Sequence, residues 1–157
     1  MSSREERAKA IIDRELYATI ATSDKSGMPW NSPVYICHDG DYAFYWGSAK
    51  DSQHSINIDQ NKNVFLVIFD SQAPWGEGEG VYIQAQAYEV SDREEISKAI
   101  ELRFTRVSKG RQLIESFMNE APRRIYKAIP TRFWINEDVT DESGNFIKDQ
   151  RVEVYLK

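Results

Sequence analysis

The sequence has one cysteine, two histidines, no apolar run of membrane-spanning length and no surplus of basic residues, and each shortage closes off a class of function. Cys37 alone cannot form a disulfide within the chain, and one thiol without a histidine cluster gives no metal site of the usual ligand spacing. The longest compact apolar stretch, VFLVIF at Val64 to Phe69, is far too short to cross a bilayer. The charged start, MSSREERAKAIIDREL, lacks the apolar centre of a signal peptide. Lys and Arg number 20 against 25 Asp and Glu, a formal charge of −5, so the overall field repels nucleic acid and anionic membranes. The expectation is a cytoplasmic protein that holds any anionic ligand by local groups. Repeats and low-complexity stretches are absent, as are a catalytic triad and an acid–base pair.

What is present is a succession of strands with short helices between them. At 157 residues without a shift in composition, the chain reads as one domain, 1–157. Ser3 with Glu6 has the form of a capping box, and Ala8, Ile11, Ile12 and Leu16 follow with helical spacing. YATIATS at Tyr17 to Ser23 is rich in β-formers and runs into a turn at Gly27. NSPVYIC resumes as a strand, and because Pro33 has no ladder donor it belongs at an edge, at a bulge or where something other than a strand meets the backbone. His38 to Asp41 signals a hairpin returning through DYAFYW.

SQHSINIDQNKN reads as a short helix, VFLVIFD as a buried strand, QAPWGEGEG as an exposed loop and VYIQAQAYEV as a strand alternating between faces. Ser91 with Glu94 predicts a second capping box, opening a helix to about Thr105 on the stripe Ile96, Ala99, Ile100 and Phe104. A further helix is expected around Arg111 to Asn119. IYKAIPTRFWIN and RVEVYL close the chain as strands across a turn at Gly144-Asn145. The pattern predicts a mainly β, α+β fold: an antiparallel barrel with flanking short helices.

One stretch carries chemistry. In WGSAKDSQHSINI a strand gives way to a helix, and Ser52 at the boundary leaves the N–H groups of Gln53, His54 and Ser55 able to meet an anion at the positive end of the helix dipole. Ser48 and Ser52 supply hydroxyl donors, Lys50 a point charge, His54 a ring donor, charged or neutral, and Gly47 close approach to the main chain. Composition leaves a second reading open, in which Ser52 is an ordinary cap and Lys50 and His54 are solvated surface residues. Cys37, at a strand end, reads as a small packed residue. The loop around Trp75, with Gly76, Gly78 and Gly80, reads as a solvated connection, with a mobile lid as the alternative.

ATIATSDKSGMPWNSPVYI, FYWGSAKDSQHSINI with NKNVFLVIFDS, and GEGEGVYIQAQAYEV together resemble the pyridoxamine 5′-phosphate oxidase-related family of FMN-binding split β-barrels, more loosely to the C-terminus. The resemblance implies a homodimer with FMN at the subunit interface. It places Asn31, Ser32, Pro33 and Val34 against the flavin ring, and Tyr45, Trp46 and Gly47 beside the ring and ribityl chain. Ser52, Gln53 and His54 stand where the family commonly has serine, arginine and lysine on the phosphate, with Lys50 replacing the missing charge. Trp134 and Arg151 match positions that reach the flavin across the dimer, although a tryptophan between Phe133 and Ile135 reads first as core and Arg151 equally as a surface residue.

Ile147 and Asp149 stand where the true oxidases carry an arginine and a histidine on the substrate phosphate, so vitamin B6 oxidation is not expected. Arg103, Arg106 and Lys109 read first as solvated charges on a helix, with binding of some other anion as the alternative. The function this implies is an FMN-dependent oxidoreductase acting on a small organic substrate. Its alternatives are a flavin-binding sensor or carrier without turnover, and a barrel using deazaflavin or haem.

Overall fold

A computed structural model describes residues 2–108 and 110–156. Lys109, one of the three basic residues singled out above, lies outside the described residues. Eight antiparallel strands form one sheet in the order β2-β1-β5-β6-β7-β4-β3, with β8 paired to β7. They run Tyr17–Ser23 (β1), Pro29–Tyr35 (β2), Cys37–His38 (β3), Phe44–Ala49 (β4), Asn63–Phe69 (β5), Gly80–Val90 (β6), Arg123–Thr140 (β7) and Phe146–Val154 (β8). Helices α1 (Arg4–Arg14), α2 (Gln53–Gln60) and α3 (Arg93–Val107) pack around them. This is an antiparallel split β-barrel.

The split has a local cause in β7. Its first part pairs with β4 from Phe44↔Ala128 to Ala49↔Arg123, and its second part pairs on the same edge with β8 from Phe133↔Val154 onward. Between the two lies Pro130, which has no N–H to give, and the register against β6 shifts there between Gln84 and Ala85. Thr131 Oγ1 donates to the Gln84 carbonyl at 3.1 Å, closing the gap the bulge opens. One long strand thereby pairs along one edge with two different strands.

The sequence periods translate directly into burial. Ser3 and Glu6 form a complete capping box on α1, whose Ala8, Ile11 and Ile12 are buried. Along β6 the inward set Val81, Ile83, Ala85 and Ala87 joins Ile20, Leu66, Ile68, Phe44 and Trp46 in the barrel core. Pro33 lies on β2, which among the described residues is hydrogen-bonded to β1 alone, as its missing donor requires. A second apolar cluster joins Cys37, Tyr45, Ile125 and Phe117 to Ile96, Ala99 and Ile100 of α3.

Four expectations are corrected. The cap of α3 is Asp92, one residue beyond Ser91, and its carboxylate accepts from the Glu95 N–H at 2.8 Å. D-x-x-E overlaps S-x-x-E by one position, and the carboxylate also meets the positive end of the dipole. The helix expected over Arg111 to Asn119 shrinks to one 3₁₀ turn, Ile114–Phe117, with Phe117 buried and Ile114 and Met118 packed beside it on the second apolar cluster. The last strand starts at Phe146, five residues before RVEVYL, because the polar hairpin end pairs with β7 without being buried. Trp134 faces outward, since its neighbours Phe133 and Ile135 take the inward positions.

Candidate functional site

The strand β4 ends against β7 with Gly47 opposite Ile125 and Ser48 opposite Arg124. Gly47 is there for space: a Cβ at this position would stand 3.2 Å from the ring edge of buried Phe117. The chain then turns, the Lys50 N–H bonding the Pro122 carbonyl at 3.0 Å and the Ser52 N–H bonding Ala49 at 3.2 Å. Helix α2 begins at Gln53 and is held down by buried His54, Ser55, Asn57 and Ile58.

Ser52 occupies the N-cap position, yet its hydroxyl makes no cap hydrogen bond. It lies instead 2.8 Å from Ser55 Oγ and 3.2 Å from His54 Nε2, and the same Nε2 is 2.8 Å from Ser48 Oγ. Proton counting orders this network. Ser55 donates its single hydroxyl hydrogen to the Ala49 carbonyl at 2.8 Å, so Ser52 must be the donor to Ser55. Ser52 then has only lone pairs left for the imidazole, which places the hydrogen on His54 Nε2. Ser48 accepts from the same nitrogen and keeps its own hydroxyl hydrogen for another partner.

Burial holds the His54 pKa below its ordinary value of 6.5, so the ring works as a neutral donor at pH 7. The charged alternative kept open by the sequence is thereby set aside. The first turn of α2 holds no acid, whereas α1 has Glu5 and Glu6 there and α3 has Glu94 and Glu95. With the Ser52 hydroxyl turned away, the start of α2 presents main-chain N–H groups without a competing carboxylate in that turn.

The expected site residues divide into those this corner gathers and those it does not. Helix α2 packs on β1 and β2, and β2 lies near β4, so the strand that carries Asn31 to Val34 adjoins the elements that carry Tyr45 to His54. Val34 is buried in the core, Asn31 and Pro33 are exposed, and half-buried Ser32 accepts from Trp30 Nε1 at 3.0 Å. Tyr45 and Trp46 are 1% and 2% exposed, so both are packed inside this protomer and neither offers it a free face beside a ring. The Tyr45 hydroxyl donates to Glu95 at 3.2 Å beneath α3. Lys50 is exposed, and Gln53 Nε2 bends back to Asn57 Oδ1 at 2.9 Å.

Trp134 and Arg151 lie elsewhere in this protomer. Trp134 is ten residues beyond Arg124 along β7, about 30 Å of strand at ~3.3 Å per residue. It stacks on Phe65 with centroids 6.2 Å apart, and the Arg132 guanidinium lies 4.6 Å from its ring. Arg151 covers the Tyr82 ring at 4.1 Å. Three groups of the α2 corner escaped the sequence reading, Asn57, Thr22 and Tyr126, and Ser55 was singled out there for its N–H and not for its hydroxyl. Asn57 Nδ2 donates to Thr22 Oγ1 at 3.0 Å, a buried tie between helix and barrel. A polar residue on the inward face of a short helix was the available signal.

The arrangement offers an anion hydroxyl and main-chain donors. A sequence profile described as pyridoxamine 5′-phosphate oxidase matches residues 5–136. The chain belongs to this family. Among curated proteins none matches it in sequence. Solved structures share the fold. One, from Bacteroides thetaiotaomicron and assigned to 5-nitroimidazole antibiotic resistance, superposes with a TM-score of 0.69 at 16% identity, covering 86% of this chain and 84% of that one.

A haem-binding protein of Mycobacterium smegmatis gives 0.72 at 17% identity, with 98% of this chain matching 59% of that one. The haem storage protein of Vibrio cholerae gives 0.69 at 15% identity, over 83% and 92% of the two chains. At these identities the likeness is one of fold. This member of the family departs from the expected phosphate-binding set at two of three positions, with Gln53 and His54 in place of two cations.

Proposed function

We propose that this protein binds FMN at the β4–α2 corner and serves as a flavin-dependent oxidoreductase for a small organic substrate other than a vitamin B6 phosphate. The observation that carries the reading is the uncapped start of α2, where the Ser52 hydroxyl is turned to His54 and Ser55. Main-chain donors there, the free hydroxyl hydrogen of Ser48 and the exposed charge of Lys50 form a donor set suited to a phosphate monoester. The groups fit FMN by their chemistry. Main chain at Asn31 to Val34 would meet the polar edge of the ring, and the bound flavin would supply the electron transfer.

Vitamin B6 phosphates lack a partner at the positions that matter for them. Ile147 is 57% exposed and apolar, and Asp149 stands opposite Asp138, where two carboxylates repel a phosphate. The outward face carries half-buried Phe65, Tyr82 and Trp134, with Arg132 and Arg151 over two of the rings, and a second copy of the chain would cover it. We therefore also propose a homodimer in which Trp134 and Arg151 reach the partner's flavin, with the whole chain acting as one domain.

Haem is supported less well by the histidines. His38 has Nδ1 at 3.0 Å from the Asp39 carbonyl and Nε2 at 3.1 Å from Asp13, and buried His54 has Nε2 engaged by two serines. Neither ring offers an iron the nitrogen it has committed. The test is a titration of the full chain with FMN, riboflavin and haem, followed by anaerobic addition of NADH or NADPH. Binding of FMN at least about tenfold tighter than riboflavin supports the phosphate corner. Equal affinity for the two flavins overturns it, a Soret band with no flavin binding favours haem, and bound FMN that neither nucleotide reduces favours a carrier.

A further inference from the structure

The polar side chains that are buried among the described residues, Thr22, His54, Ser55 and Asn57, all lie where α2 meets the barrel. His54 and Ser55 belong to the network that turns the Ser52 hydroxyl sideways. Asn57 and Thr22 stand outside it and make a second line of bonds. Gln53 Nε2 donates to Asn57 Oδ1 at 2.9 Å, Asn57 Nδ2 donates to Thr22 Oγ1 at 3.0 Å, and Thr22 Oγ1 donates to the Trp30 carbonyl at 3.4 Å. Thr22 has one hydrogen to give, and Asn57 accepts and donates through different atoms, so the line runs one way.

The last link is long, and the β1–β2 ladder reinforces it by pairing Thr22 with Trp30 and Ala21 with Asn31. Trp30 Nε1 then donates to Ser32 Oγ at 3.0 Å. A hydrogen-bonded line therefore connects the first residue of α2 to the strand that carries Asn31 to Val34. Stability alone does not call for it. Leucine and valine at positions 57 and 22 would fill the same space, and exchanging both partners of a buried hydrogen bond for apolar groups of like shape is close to neutral. What apolar packing lacks is direction, whereas successive bonds near 3 Å fix where the helix sits along the strand.

We infer that Asn57 and Thr22 are positioning residues that hold the phosphate corner in register with the ring strand, so that one rigid ligand engages both. The inference rests on the flavin reading, in which the start of α2 takes the phosphate and Asn31 to Val34 meet the ring. At 1% and 4% exposed, neither side chain reaches a ligand, and they act through Gln53 and Trp30. A ligand that touches both ends gains fully from the second contact only where the spacing is already correct to within about 0.5 Å. The line therefore matters to FMN as a whole and little to either half of it.

The experiment uses the full chain, with FMN and riboflavin followed by calorimetry and inorganic phosphate by phosphorus resonance. Asn57→Leu combined with Thr22→Val removes the line without leaving either buried partner unpaired. The double variant should weaken FMN at least about fivefold, while riboflavin and phosphate stay within about twofold of their native affinities and the urea midpoint stays near its native value. Thr22→Ser keeps the hydroxyl and should retain native FMN affinity. If the double variant does not fold, Thr22→Val alone against Thr22→Ser carries the comparison, with FMN weakened and riboflavin unchanged as the expected result. Unchanged FMN affinity once the line is cut, or equal weakening of FMN, riboflavin and phosphate, would overturn the inference and leave the flavin reading standing. A native chain that binds FMN no tighter than riboflavin would overturn both.

Discussion

The imidazole Nε2 of His54 lies 2.8 Å from the hydroxyl of Ser48, tying the second residue of α2 to the end of β4. Because Ser48 accepts this bond, its own hydrogen is free to point at a ligand. Ser48→Ala should therefore weaken FMN by about 1 kcal/mol, roughly fivefold, the value of one neutral hydrogen bond. Riboflavin binding should be unchanged. Parallel titrations of the two flavins check this, and an equal loss for both would mean that Ser48 acts on the fold instead of the phosphate.

The same histidine makes stability depend on pH. Its folded-state pKa is lowered from 6.5 by burial, so below that pH the unfolded chain takes up a proton that the folded ring resists. The sign follows: stability is full above pH 6.5 and declines as pH falls toward the folded value, by at most about 1.4 kcal/mol per pH unit. Urea melts at pH 7.5 and 5.5 should show the loss in the native sequence, and His54→Gln should reduce it. An identical pH response in the two proteins would place the titrating group elsewhere.

Gly47→Ala tests the spacing at the end of β4. The added methyl would stand 3.2 Å from Phe117, whose ring is 1% exposed and has nowhere to retreat. The expected cost is about 1–3 kcal/mol, as for other overpacked sites, read as a lower midpoint in denaturant. Gly47→Ala combined with Phe117→Leu should recover part of it. A single variant as stable as the native chain would show that the 3₁₀ turn yields easily.

The sequence shows its fold best where a residue's constraint is local. Pro33 announces an edge because it lacks an N–H, and the alternation of VYIQAQAYEV fixes which face of β6 is buried. Trp134 was harder because Phe133, Trp134 and Ile135 are all apolar, and a run without alternation does not say which side faces out. At the α2 corner the residue types pointed to the place but not to the bonds. Ser52 looked like a cap, and only the approach of Ser55 and His54 shows that its hydroxyl is used sideways. The Asp138–Asp149 pairing stayed invisible for a related reason. It depends on the hairpin register, and a bulge between Val139 and Thr140 shifts that register beside the turn.

Cys37 gives the last prediction, which concerns reactivity. Its thiol is 4% exposed and lies 3.7 Å from the carbonyls of Tyr45 and Ala99. Burial pushes its pKa up to about 11, above the value near 9.0 that it has in the open. Both effects oppose alkylation, since the thiolate is the nucleophile and the reagent must also reach it. Iodoacetamide at pH 8 should leave the folded protein unmodified over hours and label it within minutes in urea. The small α3-side cluster around Cys37 should open less often than the loops, so labelling in native buffer should follow the urea-dependent unfolding of the whole barrel. Rapid modification without denaturant would mean that α3 lifts from β3 and β4 independently, and that the second apolar cluster is not part of the cooperative core.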